Sequence, residues 1–419
     1  MFKIGILGLG YVGLPLAIEF GKKYQVIGYD KKAKRINELK SYYDKNFDID
    51  KKEFLKSKKL NFTNNLNHIK LCNIFIITVP TPVTKKNIPD LRYIRNACLT
   101  ISRFLKKDDI VIFESTVYPG LTEEFCVPIL QRKSGLVYNK DFFCGYSPER
   151  INPNDKINNI KNIVKITSGS NDFIANKIDK LYKKIIKAGT YKAPSISVAE
   201  AAKIIENAQR DLNIGFINEL ALIFDKLKID LNEVLKAAST KWNFLKFKPG
   251  LVGGHCIGVD PYYLSYKSKK SGYNPKIITA GRKINDDFVK FVAKKATLET
   301  KKRFKSKKLN FLVLGLSFKE NCVDYRNSKS INLINILKQK NFNVDCFDPL
   351  IDKKSFNKEF NIKIKLNLKN KYYHCIILAV PHNYFVKVGE SKLKLKLIKN
   401  GVFFDLKNVF PKNQKNLYI

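Results

Sequence analysis

The chain has 419 residues, 44% of them hydrophobic, which is too long for one ordinary core and apolar enough to fill two or three, so a disordered protein is excluded. Its 78 basic and 37 acidic residues leave a net charge of +41, a balance that raises nucleic acid or an anionic membrane as partners. Ten of the basic residues are arginine and the rest lysine; lysine is a hydrated point charge, whereas bases and phosphates favour arginine's planar fork, so the excess is read as solvated surface, with no nucleic acid as partner.

The chain opens on a strand-like run, Phe2 to Leu7, with no basic leader or cleavage site before it, and no apolar stretch approaches the ~18 residues that span a bilayer. A cytoplasmic protein with no membrane insertion is expected. Runs at Lys3 to Leu7, Gln25 to Tyr29, Ile74 to Val79 and Ile110 to Phe113 alternate with segments of helical period, predicting a parallel, doubly wound sheet over residues 1–190. Residues 191–303 lack such runs, and between Val198 and Phe224 the apolar positions recur at helical spacing. A helical middle region follows, broken by the glycine-rich stretch Pro249 to Gly258. After the basic stretch Lys301 to Lys308, the runs Leu309 to Gly315, Asn343 to Asp348 and Cys375 to Val380 predict a smaller α/β domain over 304–419 that repeats the plan of the first. The eight cysteines include no pair separated by two residues, so neither a zinc cluster nor a disulfide framework is expected, and no metal.

Gly8-Leu9-Gly10-Tyr11-Val12-Gly13 follows the first strand and opens a helix. Its glycines permit a tight turn, close approach of backbone to a pyrophosphate, and close helix packing, with the helix N-terminus facing the anion. Asp30 ends the next strand, where a carboxylate accepts a ribose 2′-hydroxyl and repels a 2′-phosphate, so the expected cofactor is NAD rather than NADP. Arg35 could neutralise a phosphate or lie along the adenine. Both α/β domains are thus expected to be Rossmann-like, although the later one has only Gly315 at the equivalent turn and should bind something else.

The stretch Gly253-Gly254-His255-Cys256-Ile257-Gly258-Val259-Asp260 is the most informative. Glycines on both sides of Cys256 would let a ligand reach the sulfur, and a thiol is the natural nucleophile toward an aldehyde. The other seven thiols are read as buried and inert, and His255 as loop packing. Lys203 and Asn207 stand at i and i+4 on one helix face, where an ammonium and a carboxamide could hold an oxyanion or could equally line a surface helix. Thr116 and Glu149 each follow an apolar run, at the strand ends where loops carry function.

In order along the chain, the glycine fingerprint, Val79-Pro80-Thr81-Pro82, Ser115 to Gly120, Glu206-Asn207, Gly253 to Cys256, Phe318-Lys319-Glu320-Asn321 and Asp324-Tyr325-Arg326 resemble the UDP-glucose/GDP-mannose dehydrogenase family over essentially the whole length. Within it the branch acting on UDP-N-acetylhexosamines is most similar. The resemblance implies a four-electron oxidation of a sugar C6 from alcohol through aldehyde to carboxylate, with two NAD reduced, for capsular or O-antigen polysaccharide synthesis. Cys256 would attack the aldehyde, Lys203 and Asn207 would stabilise oxyanions, Asp260 with Thr116 would position water, and Glu149 would assist hydrolysis. Tyr11, Val12, Asp30, Arg35, Thr81, Thr116 and Arg326 would contact NAD. Arg150, Ile151, Asn207, Arg210, Gly253, Phe318, Lys319 and Lys407 would contact the UDP-sugar, Arg282 would act across a homodimer, and the middle helices would form the dimer core. Glucose-specific members carry a second Glu four residues after the position of Glu149; here Pro153 stands there, so Arg150 to Pro153 should line a pocket for a different sugar. UDP-N-acetylglucosamine is favoured, then UDP-N-acetylgalactosamine. UDP-glucose and UDP-N-acetylmannosamine remain as alternative substrates, and from another class a polyanion-binding protein on a degenerate dehydrogenase scaffold.

Overall fold

Eight strands make the first sheet: β1 (Lys3–Leu7), β2 (Gln25–Tyr29), β3 (Leu60–Thr63), β4 (Ile74–Ile77), β5 (Asp109–Phe113), β6 (Phe142–Tyr146), β7 (Lys165–Gly169) and β8 (Thr190–Lys192), in the order β3-β2-β1-β4-β5-β6-β7-β8. The computed structural model describes residues 2–44, 49–84, 86–151, 157–306, 308–365, 372–411 and 416–419. Central strands β4 and β5 are buried at every residue, as continuous apolar runs must be when helices cover both faces of a parallel sheet. Helix α1 (Gly13–Gly21) is likewise buried throughout. Helix α2 (Asp172–Lys183) starts where the Asn171 side chain accepts the Ile174 N–H at 2.9 Å, the usual way a helix end disposes of an orphan donor.

One pair departs from the expected parallel pattern. β6 and β7 run antiparallel, Gly145 opposite Gly169. A Cβ on Gly145 would stand 2.6 Å from the Ser168 carbonyl oxygen, so the glycine is what admits β7 to this edge.

The chain divides into two compact units, Met1–Asn207 with Tyr262–Asn274, and Ala208–Pro261 with Pro275–Ile419. The long middle helices α3 (Ile196–Leu227), α4 (Asp260–Lys270) and α5 (Lys276–Arg303) are divided between them. In the second unit, β9 (Asn310–Leu314), β10 (Asn343–Phe347), β11 (Tyr373–Leu378), β12 (Leu397–Asp405) and β13 (Asn416–Tyr418) form a wholly parallel sheet, β10-β9-β11-β12-β13. Phe288, Val292 and Ala296 of α5 share one apolar core with Phe311, Val313 and Phe404 of this sheet. The fold is α/β with two Rossmann-like sheets and helices between them in sequence.

Candidate active site

Because β1, β2, β4, β5 and β6 are mutually parallel, the loops that follow them open at one edge of the first sheet, where such folds bind ligands. After β1, Gly8 has φ +97° and Gly13 faces its carbonyl so closely that a Cβ there would lie 1.8 Å from the Gly8 oxygen. At Gly10 the same added atom would meet nothing within 4 Å. The turn is therefore closed by one glycine and left open by another, which fits a pyrophosphate resting on backbone at Gly10, beside Tyr11 and Val12. Asp30 accepts the Leu9 and Lys32 N–H groups at 3.1 and 2.9 Å, which holds its carboxylate beside the turn. Arg35 is buried and committed to the Leu9 carbonyl at 3.0 Å and to Asp44 at 2.8 Å, so its charge is already answered by a carboxylate.

Thr81 follows β4 and Thr116 follows β5, both half-buried. Behind Thr116, Glu114 is fully buried and receives Lys165 Nζ at 2.6 Å and the Tyr182 hydroxyl. Burial raises its carboxyl to about 7 in spite of the lysine. The loop after β6 presents Glu149, whose Oε1 accepts the N–H groups of Arg150 and Ile151. Its Oε2 is buried without a hydrogen bond and lies 3.9 Å from Lys165 Nζ. Asn152 and Pro153 lie outside the described residues. Arg150 grips Glu206 of α3 at 2.8 Å, tying this loop to the helix that carries Lys203 and Asn207. Both of those are 7% exposed, so they do not line a surface helix, and Lys203 makes no ion pair or hydrogen bond among the described residues. One turn earlier, buried Glu200 accepts Gly120 N–H, Thr122 N–H and the Thr122 hydroxyl at 2.6, 3.0 and 2.6 Å, anchoring the 115–120 loop.

The second unit holds the remaining candidates. Cys256 is half-buried while the other seven thiols, all free, are buried; burial pushes Cys72, Cys346 and Cys375 up to about 12. The glycines around Cys256 have a packing task. A Cβ on Gly253 would stand 2.3 Å from the Asn327 carbonyl, and one on Gly258 2.9 Å from its amide nitrogen, so the loop is pressed onto residue 327. Asp260 is fully buried and begins α4. Arg282 is 2% exposed and bound to Asp211 and Asp286 of its own chain. Arg210 is exposed. At the edge where β9, β11 and β12 end, a cavity is lined by Ser317, Phe318, Lys319, Glu320, Lys329 and Lys407, with Lys407 Nζ 3.2 Å from Glu320. Arg326 projects outward, clasping Asp324 through two nitrogens. Among the described residues no group of His, Cys, Asp and Glu is placed to hold a metal, and no helix is long and apolar enough to cross a membrane.

Three consecutive segments match one family: its NAD binding domain over residues 2–186, its central domain over 197–287 and its UDP binding domain over 312–412. The chain belongs to the UDP-glucose/GDP-mannose dehydrogenase family. It is an NAD-dependent nucleotide-sugar dehydrogenase, and the fingerprint turn lies in the NAD binding domain while the lysine-lined cavity lies in the UDP binding domain. Two relatives named UDP-N-acetyl-D-glucosamine 6-dehydrogenase are 51% identical (Salmonella typhi) and 50% identical (Pseudomonas aeruginosa), each over 99% of this chain and 98% and 99% of their own length. A solved UDP-N-acetylmannosamine dehydrogenase from Pyrococcus horikoshii superposes with a TM-score of 0.89 at 29% identity, over 100% of this chain and 99% of that one. Among residues that sequence reasoning passed over in this dehydrogenase are Glu114, Lys165, Tyr182 and Glu200. Their signal was weak because a buried charge in a strand or helix is recognised only by its partner.

Proposed function

We propose that the enzyme oxidises C6 of a UDP-N-acetylhexosamine, UDP-N-acetylglucosamine first and UDP-N-acetylgalactosamine next, to the uronate, supplying a sugar nucleotide for a capsular or O-antigen polysaccharide. About half of all residues shared over the full length with two proteins of that printed activity supports the substrate. The observation that carries the chemistry is Lys203: a buried lysine that makes no ion pair among the described residues is matched to an anion that arrives with the substrate. Asn207, one turn on, adds a donor on the same face. Bound NAD supplies the acceptor for both oxidations. Cys256 attacks the C6 aldehyde to give a thiohemiacetal, later a thioester, and Lys203 with Asn207 holds the oxygen as charge builds on it. Glu149 takes the proton of the hydrolytic water through its unbonded Oε2, while Thr116 and Asp260 orient that water. Lys319 and Lys407 receive the diphosphate, and Tyr11, Val12, Asp30 and Thr81 seat the cofactor.

Val198, Ile205, Phe216, Ile223 and Leu227 are 44–59% exposed and, at spacings of 7, 11, 7 and 4, fall on one face of α3. This stripe supports a homodimer built on that helix. Trp242, 92% exposed, adds to the uncovered apolar surface. Free thiols and soluble ligands fit a cytoplasmic enzyme.

The test offers UDP-N-acetylglucosamine, UDP-N-acetylgalactosamine, UDP-N-acetylmannosamine and UDP-glucose with NAD, counting NADH per sugar consumed. Two NADH and a uronate from an N-acetylhexosamine are expected. One NADH with free aldehyde, or turnover of UDP-glucose alone, would overturn the reading.

A further inference from the structure

The ring of His255 lies against the candidate nucleophile. Its Nδ1 stands 3.0 Å from Cys256 Sγ, and its Nε2 faces the Asp324 carboxylate at 3.7 Å, a charge contact longer than a hydrogen bond. Phe318 packs edge-on against the imidazole, ring centroids 5.5 Å apart at 67°, which restricts rotation about the side chain. Asp324 is fixed in turn. It accepts the backbone N–H of Arg326 at 2.9 Å and Nε at 3.0 Å, and although burial pushes its carboxyl up, the Arg326 guanidinium outweighs burial and holds it below the usual carboxylate range. Facing the ring are thus Cys256 of its own loop and, from residues 318–326, an apolar ring and a carboxylate kept charged by arginine.

A thiol, an imidazole and a carboxylate in this order make up an activated nucleophile: the base takes the proton, and the third group sets its tautomer. An ordinary thiol, with pKa about 8.5, is only a few per cent thiolate at neutral pH. We propose that His255 is a catalytic residue, the base that removes the Cys256 proton through Nδ1, and that Asp324 is the positioning residue that keeps hydrogen on Nε2. This rests on the reading of Cys256 as nucleophile. The S–H bond breaks and its proton moves to Nδ1; the sulfur pair forms the S–C6 bond, and the carbonyl pair moves onto oxygen. Once C6 of the thiohemiacetal has lost its hydride to the NAD acceptor of the second oxidation and become the thioester, water adds, and sulfur leaves with its bonding pair and recovers the proton from Nδ1. Arg326 then has a second task, fixing Asp324.

The test is alkylation by iodoacetamide across a pH series, with the Cys256 peptide quantified by mass spectrometry in the full-length wild type, His255→Asn and His255→Gln. The wild-type midpoint is expected below about 8.5. Both variants should shift it upward by at least one unit, which is about tenfold slower labelling at neutral pH, and acid formation should fall in parallel and recover as pH is raised. An unchanged midpoint in both variants would overturn the proposal, since a merely structural histidine would lower activity equally at every pH. Cys256→Ser separates the two readings: uronate still released by that variant would remove the nucleophile itself, whatever the histidine variants do.

Discussion

The two parallel sheets end their first strands in the same way and use the result differently. Gly8 after β1 has φ +97° and donates its N–H to Tyr29 at the end of β2, while Leu9 N–H reaches Asp30. Gly315 after β9 has φ +85° and donates to Phe347 at the end of β10, while Leu316 N–H reaches Asp348 at 2.6 Å. In the first sheet a helix begins at once, Gly10 leaves open space and Asp30 stays half-exposed. In the second, Asp348 is fully buried, His382 Nε2 lies 3.0 Å from it, and Ser317 and His382 occupy the place beside it. On the proposed assignment the turn receives a dinucleotide where its acid is left reachable, and it is a structural joint where a side chain of the protein fills the place beside that acid. The two turns lie in segments that match an NAD binding domain and a UDP binding domain respectively.

The comparison breaks most visibly at Gly13→Ala. A Cβ 1.8 Å from the Gly8 oxygen cannot be housed, so we expect about 3 kcal/mol of lost stability in thermal unfolding and, by calorimetry, a loss of NAD affinity on the order of 100-fold. Asp348→Asn should cost about 2 kcal/mol, since it removes the charge from a buried hydrogen-bonded group, yet leave NAD affinity unchanged; weakened NAD binding would show that the two turns are not independent. Gly10→Ala should leave the unfolding midpoint in place while weakening NAD roughly tenfold, the cost of filling space that the ligand needs. Smallest is an opposition in pH dependence. Burial raises Glu200 to about 7, so its folded form binds the proton more tightly than the unfolded chain, and its contribution is present below about 4.3 and lost as pH rises through 7. Burial also raises Asp348, but its hydrogen bonds and charge interaction with His382 outweigh that and hold it below the usual range. Its contribution is therefore present above about 3.9 and lost as pH falls. Thermal midpoints against pH should lose the first slope in Glu200→Gln and the second in Asp348→Asn.

The sheets were legible where strands are apolar throughout. Lys3–Leu7 and Gln25–Tyr29 stand as expected, and the runs near Ile74, Ile110, Leu309, Asn343 and Cys375 fall within two residues of β4, β5, β9, β10 and β11. β7, Lys165-Ile166-Thr167-Ser168-Gly169, was not, because its buried lysine is satisfied by Glu114, a partner that only folding brings near. Short β13 carries no periodic signal. At the site, spacing alone left Lys203 undecided between a surface and a buried position, and burial removed the first. The neighbourhood of His255 depends on Asp324, sixty-odd residues away, and adjacency in sequence to Cys256 says nothing of which way a ring turns.

The chain has a single tryptophan, and it is Trp242, 92% exposed. Its emission therefore reports one patch of surface without background from the two sheets. In the bare protomer that emission should lie to the red and be open to a soluble quencher, and any partner surface that covers residue 242 would move it to the blue and shield it. Association of this enzyme can be followed by its own light, with no label attached.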